Sequence, residues 1–457
     1  MKPVKKEIFR AYDIRGIVDK DFDPEWVKML GKACGTYFRR NKITRVAVGH
    51  DCRHSSPIYQ QKIIEGLVET GMDVIFLNMV ATPLFYFAIK FINLKGGIMI
   101  TASHNPKDFN GFKVWANEST IHTTEILKIY EIMKNQDFFP AKNKGIATEM
   151  DIVPAYIHHL TSDGSLDHSV KVVVDGGNGA AGQVCAEVLR KIGAEVIELY
   201  CEPDGDFPNH HPDPTVLENI KDLQQMVQKE NCIGIGLDGD GDRIGVLNEH
   251  GGIVYGDRLL AIFARDILKN HPGAAIIGEV KCSHLLYEDI KKHGGKPIMW
   301  KTGHSLIKAK MKEENAILAG EMSGHMFFAD RYFGFDDAIY AAKRLVEILA
   351  KNPGKPLSTY LSDWPKTFST PEIRMECPEQ IKFQVVARAL EYFKQQYDVI
   401  DIDGVRITFP DGWGLLRASN TQPVLVLRFE AESESRLEEI RRLIEEPLKN
   451  WIEELSS

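Results

Sequence analysis

The run DGDGDR, Asp238 to Arg243, sets carboxylates at alternate positions, so an extended or looped backbone turns Asp238, Asp240 and Asp242 towards a common side. At roughly 6 Å and an effective dielectric of about 20, each like-charged pair costs about 3 kcal/mol, so three converging carboxylates call for a cation. Hard oxygen ligands at this density suit Mg²⁺. Arg243 supplies only part of the compensation. A calcium loop of the helix-flanked kind is nearly matched, because Glu249 stands at the twelfth position; it fails where Arg243 takes the place of the required glycine, and its flanks CIGIGL and IGVLNE read as strands.

A second cluster, TASHNP, follows the apolar run GGIMI and exposes Ser103 at a strand end. With a carboxylate-held metal elsewhere, a serine on such a loop is a candidate nucleophile for phosphoryl transfer. Taken alone it reads better as a turn, because serine and asparagine near proline are ordinary turn formers. GEMSGH joins Glu321, Ser323 and His325 within one glycine-flanked loop, a set suited to the hydroxyls of a polyol. RASNTQP offers the guanidinium of Arg417, the hydroxyls of Ser419 and Thr421 and the amide of Asn420, which together can hold a phosphate from several directions. On its own GEMSGH is about equally a surface turn, and RASNTQP alone is a weak signal whose plain reading is a polar hairpin loop. AYDIRG adds Tyr12 and Arg15, while Lys113, Lys281 and His304 fall near strand-end loops; singly, each of the five reads as a solvated surface residue.

One motif points elsewhere. VKVVVDGGNGAAG carries glycines 177, 179 and 182 in the G-x-G-x-x-G spacing, with Glu198 about twenty residues on, so an NAD-dependent oxidoreductase is a rival reading. Asp175 and Gly176 intervene between the strand and the first of these glycines, and a tight strand-to-helix turn accounts for them as well.

Three repeats must position these loops. RVAVGHD, VKVVVDGG and AAIIGEVK are strand-length apolar runs, each followed by a helical stretch and then by ETGMDVIFL, KIGAEVIEL or KHGGKPIMW, where a glycine introduces a second strand. GGIMI, CIGIGL and NAILA supply third strands and lead into TASHNP, DGDGDR and GEMSGH; GFKVW, IGVLNE and HMFFA read as return strands. Alternation of short strands and helices implies βαβ units with largely parallel sheets and functional loops at strand carboxyl ends. The order changes near Thr367 to a small α+β module. We therefore expect an α/β chain of four domains, 1–150, 151–253, 254–366 and 367–457, the last joined through the proline- and lysine-rich hinge AKNPGKPLSTYLSDWPK.

The totals bound the partners. A formal net charge of −8 on 457 residues argues against nucleic acid. Seven cysteines without a CxxC pair fit a reduced, cytoplasmic compartment. The most membrane-like window, Val74 to Ile92, is broken by Asn78, Pro83 and Lys90 and reads as strand, turn and buried helix, so no membrane partner is expected. Nothing in the chain fixes an oligomeric state.

Taken together, FRAYDIRG, TASHNP, GFKVW, DGDGDR, WKTGHS, GEMSGH and RASNTQP resemble the bacterial phosphomannomutase/phosphoglucomutase branch of the α-D-phosphohexomutase superfamily, in family order from near residue 9 to near 430. The resemblance implies three related α/β domains and a smaller fourth around a central cleft. It implies a phosphohexomutase that interconverts hexose 1- and 6-phosphates of mannose or glucose. Ser103 would carry the phosphoryl group, Mg²⁺ would sit on Ser103, Asp238, Asp240 and Asp242, and a hexose 1,6-bisphosphate would be the intermediate. Arg417, Ser419, Asn420 and Thr421 would bind the substrate phosphate with Tyr12, Lys281 and His304, and Glu321 and Ser323 would read the sugar. Arg15, Lys113 and Arg243 would stabilise the travelling group, with His325 or Lys113 as general acid/base. Within the superfamily phosphoglucosamine mutase is the nearest alternative.

Overall fold

Strands that are apolar on both faces need cover on both, and the three repeats meet that need in the same way. In the computed structural model, which describes residues 2–419 and 423–456, the first strand of each repeat lies in the middle of its sheet. Arg45–His50 runs parallel between Asp73–Met79 and Gly96–Ile100. Lys171–Asp175 is likewise flanked by Glu195–Leu199 and Ile233–Leu237, and Ala275–Glu279 by Lys296–Trp300 and Leu318–Gly320. A return strand then pairs antiparallel with the third: Phe109–Ala116, Ile244–Leu247 and Met326–Phe328. TASHNP, DGDGDR and GEMSGH occupy the three equivalent turns between third strand and return strand, and the shared topology aims all three at one cleft.

The chain from Val74 to Ile92 forms the strand Asp73–Met79 and the helix Thr82–Phe91, whose residues from Thr82 to Ile89 are all buried. An all-round apolar helix belongs in a core, and this one sits where the first unit meets the second and third. No described helix is long and apolar enough to cross a membrane. One hydrophobic cluster runs unbroken from Ala47 to Leu357 through the three α/β units. The fourth unit has its own core and touches the rest through a small cluster of Val280, Trp413 and Leu415.

Two expectations need revision here. Gly412–Ala418 is a full strand, paired with Val405–Phe409 on one side and Val424–Ala431 on the other, so Arg417 is held by a sheet rather than by a hairpin loop. The glycine-rich start GWG hid it from a reading by strand propensity. The expected hinge is also mostly fixed. Leu357 is buried, Arg265 donates to Tyr360 O at 3.0 Å and to Asp363 at 2.9 Å, and Trp364 Nε1 donates to Asp289 at 3.0 Å. Only the short stretch from Pro365 to Thr367 separates these anchors from the fourth unit's first strand, Phe368–Ser369.

Candidate active site

The turn after Gly96–Ile100 brings Ser103 to the carboxylates. Thr101 Oγ1 accepts from Ser103 N at 2.9 Å, and Ser103 adopts φ 51, the left-handed region that costs a non-glycine residue roughly 1–2 kcal/mol. Its Oγ then donates to Asp238 Oδ2 at 2.7 Å. His104 Nδ1 lies 3.0 Å from the same oxygen. Since the single hydroxyl proton goes to Asp238, the imidazole is the donor in that contact, which leaves His104 Nε2 as an acceptor. Burial first, then Arg243 and Arg15, hold His104 well below the usual histidine range, so it is neutral.

The acidic turn is shaped by its own backbone. Asp238 Oδ1 accepts from the N–H groups of Asp242 and Arg243 at 3.1 Å, and Gly241 takes φ 75 with its α-carbon against Ala181. As a result Asp238, Asp240 and Asp242 are fully buried with ligand oxygens within 4.8 Å of one another. Burial, then Asp240 and Asp242, push Asp238 well above the carboxylate range. Burial likewise opposes the charge on Asp240, but Lys113 and a hydrogen bond from Thr82 overcome it and hold Asp240 low.

Lys113 is therefore no surface lysine. It is 3 % exposed, with Nζ 2.7 Å from Asp240 Oδ2 and 2.5 Å from Asp242 Oδ2. Burial works against its charge, but Asp240 and Asp242 win and raise it well above the lysine range. One ammonium against three carboxylates leaves Asp240 Oδ1 and Asp242 Oδ1 without a hydrogen-bond partner among the described residues. Orphaned, buried, hard oxygen atoms of this kind fit a divalent cation such as Mg²⁺.

A second group with metal-like spacing, Asp242, His325 and Asp336, also leaves buried atoms without a hydrogen-bond partner among the described residues, Asp242 Oδ1, His325 Nδ1 and Asp336 Oδ2, but its imidazole has the wrong tautomer for a ligand. Arg243 Nε donates to His325 Nε2 at 3.0 Å, and a guanidinium can only donate. The His325 proton must then be on Nδ1, which faces Asp336 Oδ2 at 3.2 Å and Asp242 Oδ1 at 3.6 Å, so that nitrogen has no lone pair to offer a metal. Asp336 is the hub of this corner. Burial opposes its charge, but Lys308, at 2.9 Å, and His304 hold it well below the carboxylate range. His304, with Nδ1 3.3 Å from Asp336 and its ring stacked on His325 at 5.5 Å, is held near 4 by burial and then by Lys308.

Across the cleft the candidate phosphate residues gather on the third and fourth units. Arg417 Nε donates to Asp403 Oδ2 at 3.0 Å, and the same oxygen accepts from Thr302 N at 3.1 Å. Tyr12 OH donates to Thr302 O at 2.9 Å, and its ring lies 6.1 Å from that of His304. Lys281 is buried beside Glu372, at 3.2 Å, and feels the charge of Arg417. Glu321 Oε1 accepts from Gly303 N at 2.6 Å, and burial raises it above the usual glutamate range. Ser323 is half-buried beside it, and Arg15 Nη1 donates to Asn105 Oδ1 at 2.5 Å on the serine loop. Ser419 N donates to Val424 O at 3.0 Å, while Asn420 and Thr421 lie outside the described residues. Thus Lys113, Lys281 and His304, which singly read as surface residues, are buried in the site.

The dinucleotide motif finds no use. Gly177 N donates to Asp175 Oδ1, Asn178 N to Tyr200 O, Gly179 N to Gly176 O and Ala180 N to Gly239 O, so the N–H groups that would cradle a pyrophosphate are already satisfied. Gly179 is required for another reason: a Cβ there would come within 2.8 Å of Gly239 O in the acidic turn.

Sequence reasoning passed over Arg53, Thr82, His104, Lys308 and Asp336. Except for His104, whose contact is with the adjacent Ser103, their partners lie on other segments of the chain, and only the shared repeat topology could have suggested the loop of Arg53, the counterpart of Gly177 and Lys281. Sequence models for all four domains of phosphoglucomutase/phosphomannomutase match in order: alpha/beta/alpha domain I over residues 6–139, domain II over 154–252, domain III over 255–368 and the C-terminal domain over 372–446. A phosphomannomutase/phosphoglucomutase of Pseudomonas syringae is 46% identical over 445 residues, covering 97% of this chain and 95% of that one. A phosphoglucomutase of Neisseria gonorrhoeae is 43% identical over 449 residues, 96% of each chain. The crystal structure of a phosphoglucomutase/phosphomannomutase family protein from Burkholderia thailandensis superposes with a TM-score of 0.91 at 39% identity over 98% of each chain. With four matching domains, a full-length relative and a serine loop that meets an acidic trio, the chain belongs to the phosphoglucomutase/phosphomannomutase family of phosphotransferring enzymes.

Proposed function

We propose that this enzyme interconverts the 1- and 6-phosphates of mannose or glucose through a phosphorylated Ser103 and a hexose 1,6-bisphosphate. The observation that carries this reading is the 2.7 Å contact of Ser103 Oγ with Asp238, inside a trio of buried carboxylates. Phosphoserine would bring about −1.5 to −2 further charge to that trio. Ser103 and the three aspartates would hold Mg²⁺, which when bound offsets this charge and polarises the phosphoryl oxygens.

The chain's own residues do the rest. Arg417 and Ser419, with Lys281, Tyr12 and His304, seat the phosphate that is not reacting, and Glu321 and Ser323 hold the sugar hydroxyls so that the free hydroxyl faces the phosphoserine. Arg15, Lys113 and Arg243 ring the moving phosphoryl with positive charge, the main form of catalysis for such a loose transition state. Lys113, an ammonium bound by two carboxylates, is a poor proton acceptor. The geometry favours His325: its Nε2 carries the lone pair, and a sugar hydroxyl that displaces Arg243 Nε would pass its proton there while Asp336 keeps the ring oriented at Nδ1. The phosphoryl leaves Ser103 Oγ for the sugar oxygen, the bisphosphate turns, and its other phosphate returns to Ser103. A single phosphate seat must therefore accept both ends of the sugar.

The test is a coupled assay with glucose 1-phosphate and mannose 1-phosphate, primed with glucose 1,6-bisphosphate. Formation of the 6-phosphates, with one phosphate on Ser103 by peptide mass spectrometry, is the expected result. Absence of product from both substrates at any enzyme concentration would refute it.

A further inference from the structure

The serine loop is moulded around one side chain that lies outside the site just described. Arg53 follows the central strand of the first sheet, and its side chain is fully buried. All five of its N–H donors are matched. Nε donates to Asp51 Oδ2 at 3.1 Å; Nη1 to Pro106 O at 2.7 Å and Phe109 O at 3.1 Å; Nη2 to Ser103 O at 2.8 Å and Asn105 O at 2.6 Å. Four carbonyls of one seven-residue loop therefore point at a single guanidinium. Without that cation their dipoles would repel, and the loop would have no reason to bend through Ser103 at φ 51.

The same group is tied to the unit that carries the carboxylates. Phe207, from the second unit, covers the guanidinium face at 5.2 Å. Gly205 packs so closely that a Cβ there would meet Cys52 O at 2.7 Å and Arg53 Cα at 3.2 Å. On its far side Ser103 O faces Gly239, where a Cβ would come within 2.5 Å of it. The nucleophile's carbonyl is thus pinned between Arg53 and the acidic turn.

We infer that Arg53 is a positioning residue for the phosphoryl-carrying serine, acting through the backbone of residues 103–109 and touching neither substrate nor the serine Oγ. The inference rests on the mutase reading of the site. Lysine cannot replace the arginine, because three donors on a flexible stem do not reproduce a planar five-donor fork. Misplacing a reacting group by about 1 Å can lower turnover about 10²-fold.

The experiment compares wild type, Arg53→Lys and Asp51→Asn, the last keeping the arginine but weakening the carboxylate that aims it. Circular dichroism melts establish folding at the assay temperature. Steady-state kinetics with glucose 1-phosphate and the rate of Ser103 phosphorylation by glucose 1,6-bisphosphate, read by intact mass, then give the split. The expected result for Arg53→Lys is a fall in kcat of about 10²-fold, a parallel fall in the phosphorylation rate, and an unchanged or lower KM. Asp51→Asn moves the same way by less. A folded Arg53→Lys enzyme with kcat within about twofold of wild type, or with a loss confined to a raised KM, overturns the inference. Should Arg53→Lys not fold, Asp51→Asn decides by the same criteria. If wild type itself turns over no hexose phosphate, the mutase reading fails instead, and amide exchange across residues 103–109 decides the positioning claim: exchange faster in Arg53→Lys upholds it, and equal exchange overturns it.

Discussion

Lys113→Met removes the ammonium while keeping most of the side chain's length, and the outcome can be worked from the contacts it leaves. At 2.7 and 2.5 Å, the two ion pairs are each worth about 6 kcal/mol at an effective dielectric of about 20, before desolvation. Burial takes most of this back, and removing one partner of such a buried set costs about 3–5 kcal/mol. The trio left behind has oxygens within 4.8 Å of one another, so each charged pair repels by at least about 3 kcal/mol. The trio will then take up protons or a divalent cation. In EDTA the melting midpoint of the variant should fall by about 3–5 °C. Added Mg²⁺ should restore most of the loss, with half-recovery at a concentration at least about tenfold below that needed to saturate wild type, equivalent to about 1.4 kcal/mol. Scanning calorimetry across an Mg²⁺ series, with no substrate present, reads both effects. A variant that melts with wild type in EDTA, or whose Mg²⁺ titration is unshifted, would show that Lys113 is not the charge partner of the metal site.

Three further outcomes can be checked. Ser103→Ala should abolish mutase turnover and lower stability by about 1–3 kcal/mol, because the buried Asp238 oxygen loses its donor; full turnover would remove Ser103 from the mechanism. Arg406→Ala should loosen the fourth unit, since this arginine donates to Val280 O and to Cys282 O at 2.8 Å and stacks on Trp413 at 3.8 Å. Loss of these contacts, worth about 2–5 kcal/mol together, should raise the solution radius of gyration and the KM for sugar phosphate, and unchanged scattering would count against it. Burial raises Asp337 to about 6 against hydrogen bonds from Tyr340 N, Tyr332 and Tyr156. The folded state then holds its proton more tightly than the unfolded one, so stability falls by up to about 3 kcal/mol as pH rises from 4 to 6 and is flat above. Urea titrations over that range should lose this slope in Asp337→Asn, and an identical slope would contradict the assignment.

Much of this was legible in the chain. The three repeats read correctly because each alternates a strand-length apolar run with a helix and a glycine-marked return, and Gly193 at φ 107 ends its helix as such a glycine must. The convergence of Asp238, Asp240 and Asp242 was legible in DGDGDR because it is local to one turn, whereas TASHNP alone reads as a turn and gains its meaning only from the contact of Ser103 with Asp238, 135 residues on. What stayed hidden was long-range. Lys113 lies 127 residues from Asp240, and only the packing of the first sheet on the second shows that its charge is buried rather than solvated. The same is true of Asp336, which orders two histidines from different segments, and of Arg53. The strand Gly412–Ala418 escaped because its glycines, at 412 and 414, are there to admit the final helix: a Cβ at Gly414 would meet Ile444 at 2.4 Å. Propensity penalises those positions, whereas packing requires them.

The grip of the fourth unit on the segment Val280–Ser283 bears on how the cleft can work. Arg406 and Arg428 hold the peptide oxygens on either side of Lys281 and at Lys281 itself, and Glu430 accepts from Ser283 Oγ at 2.7 Å. Lys281 is therefore fastened to the same body as Arg417, although it comes from a different domain. Like a pin set through two leaves, this fastening crosses the domain boundary, so a displacement of the fourth unit would carry the segment Val280–Ser283 with it and leave the two cations side by side.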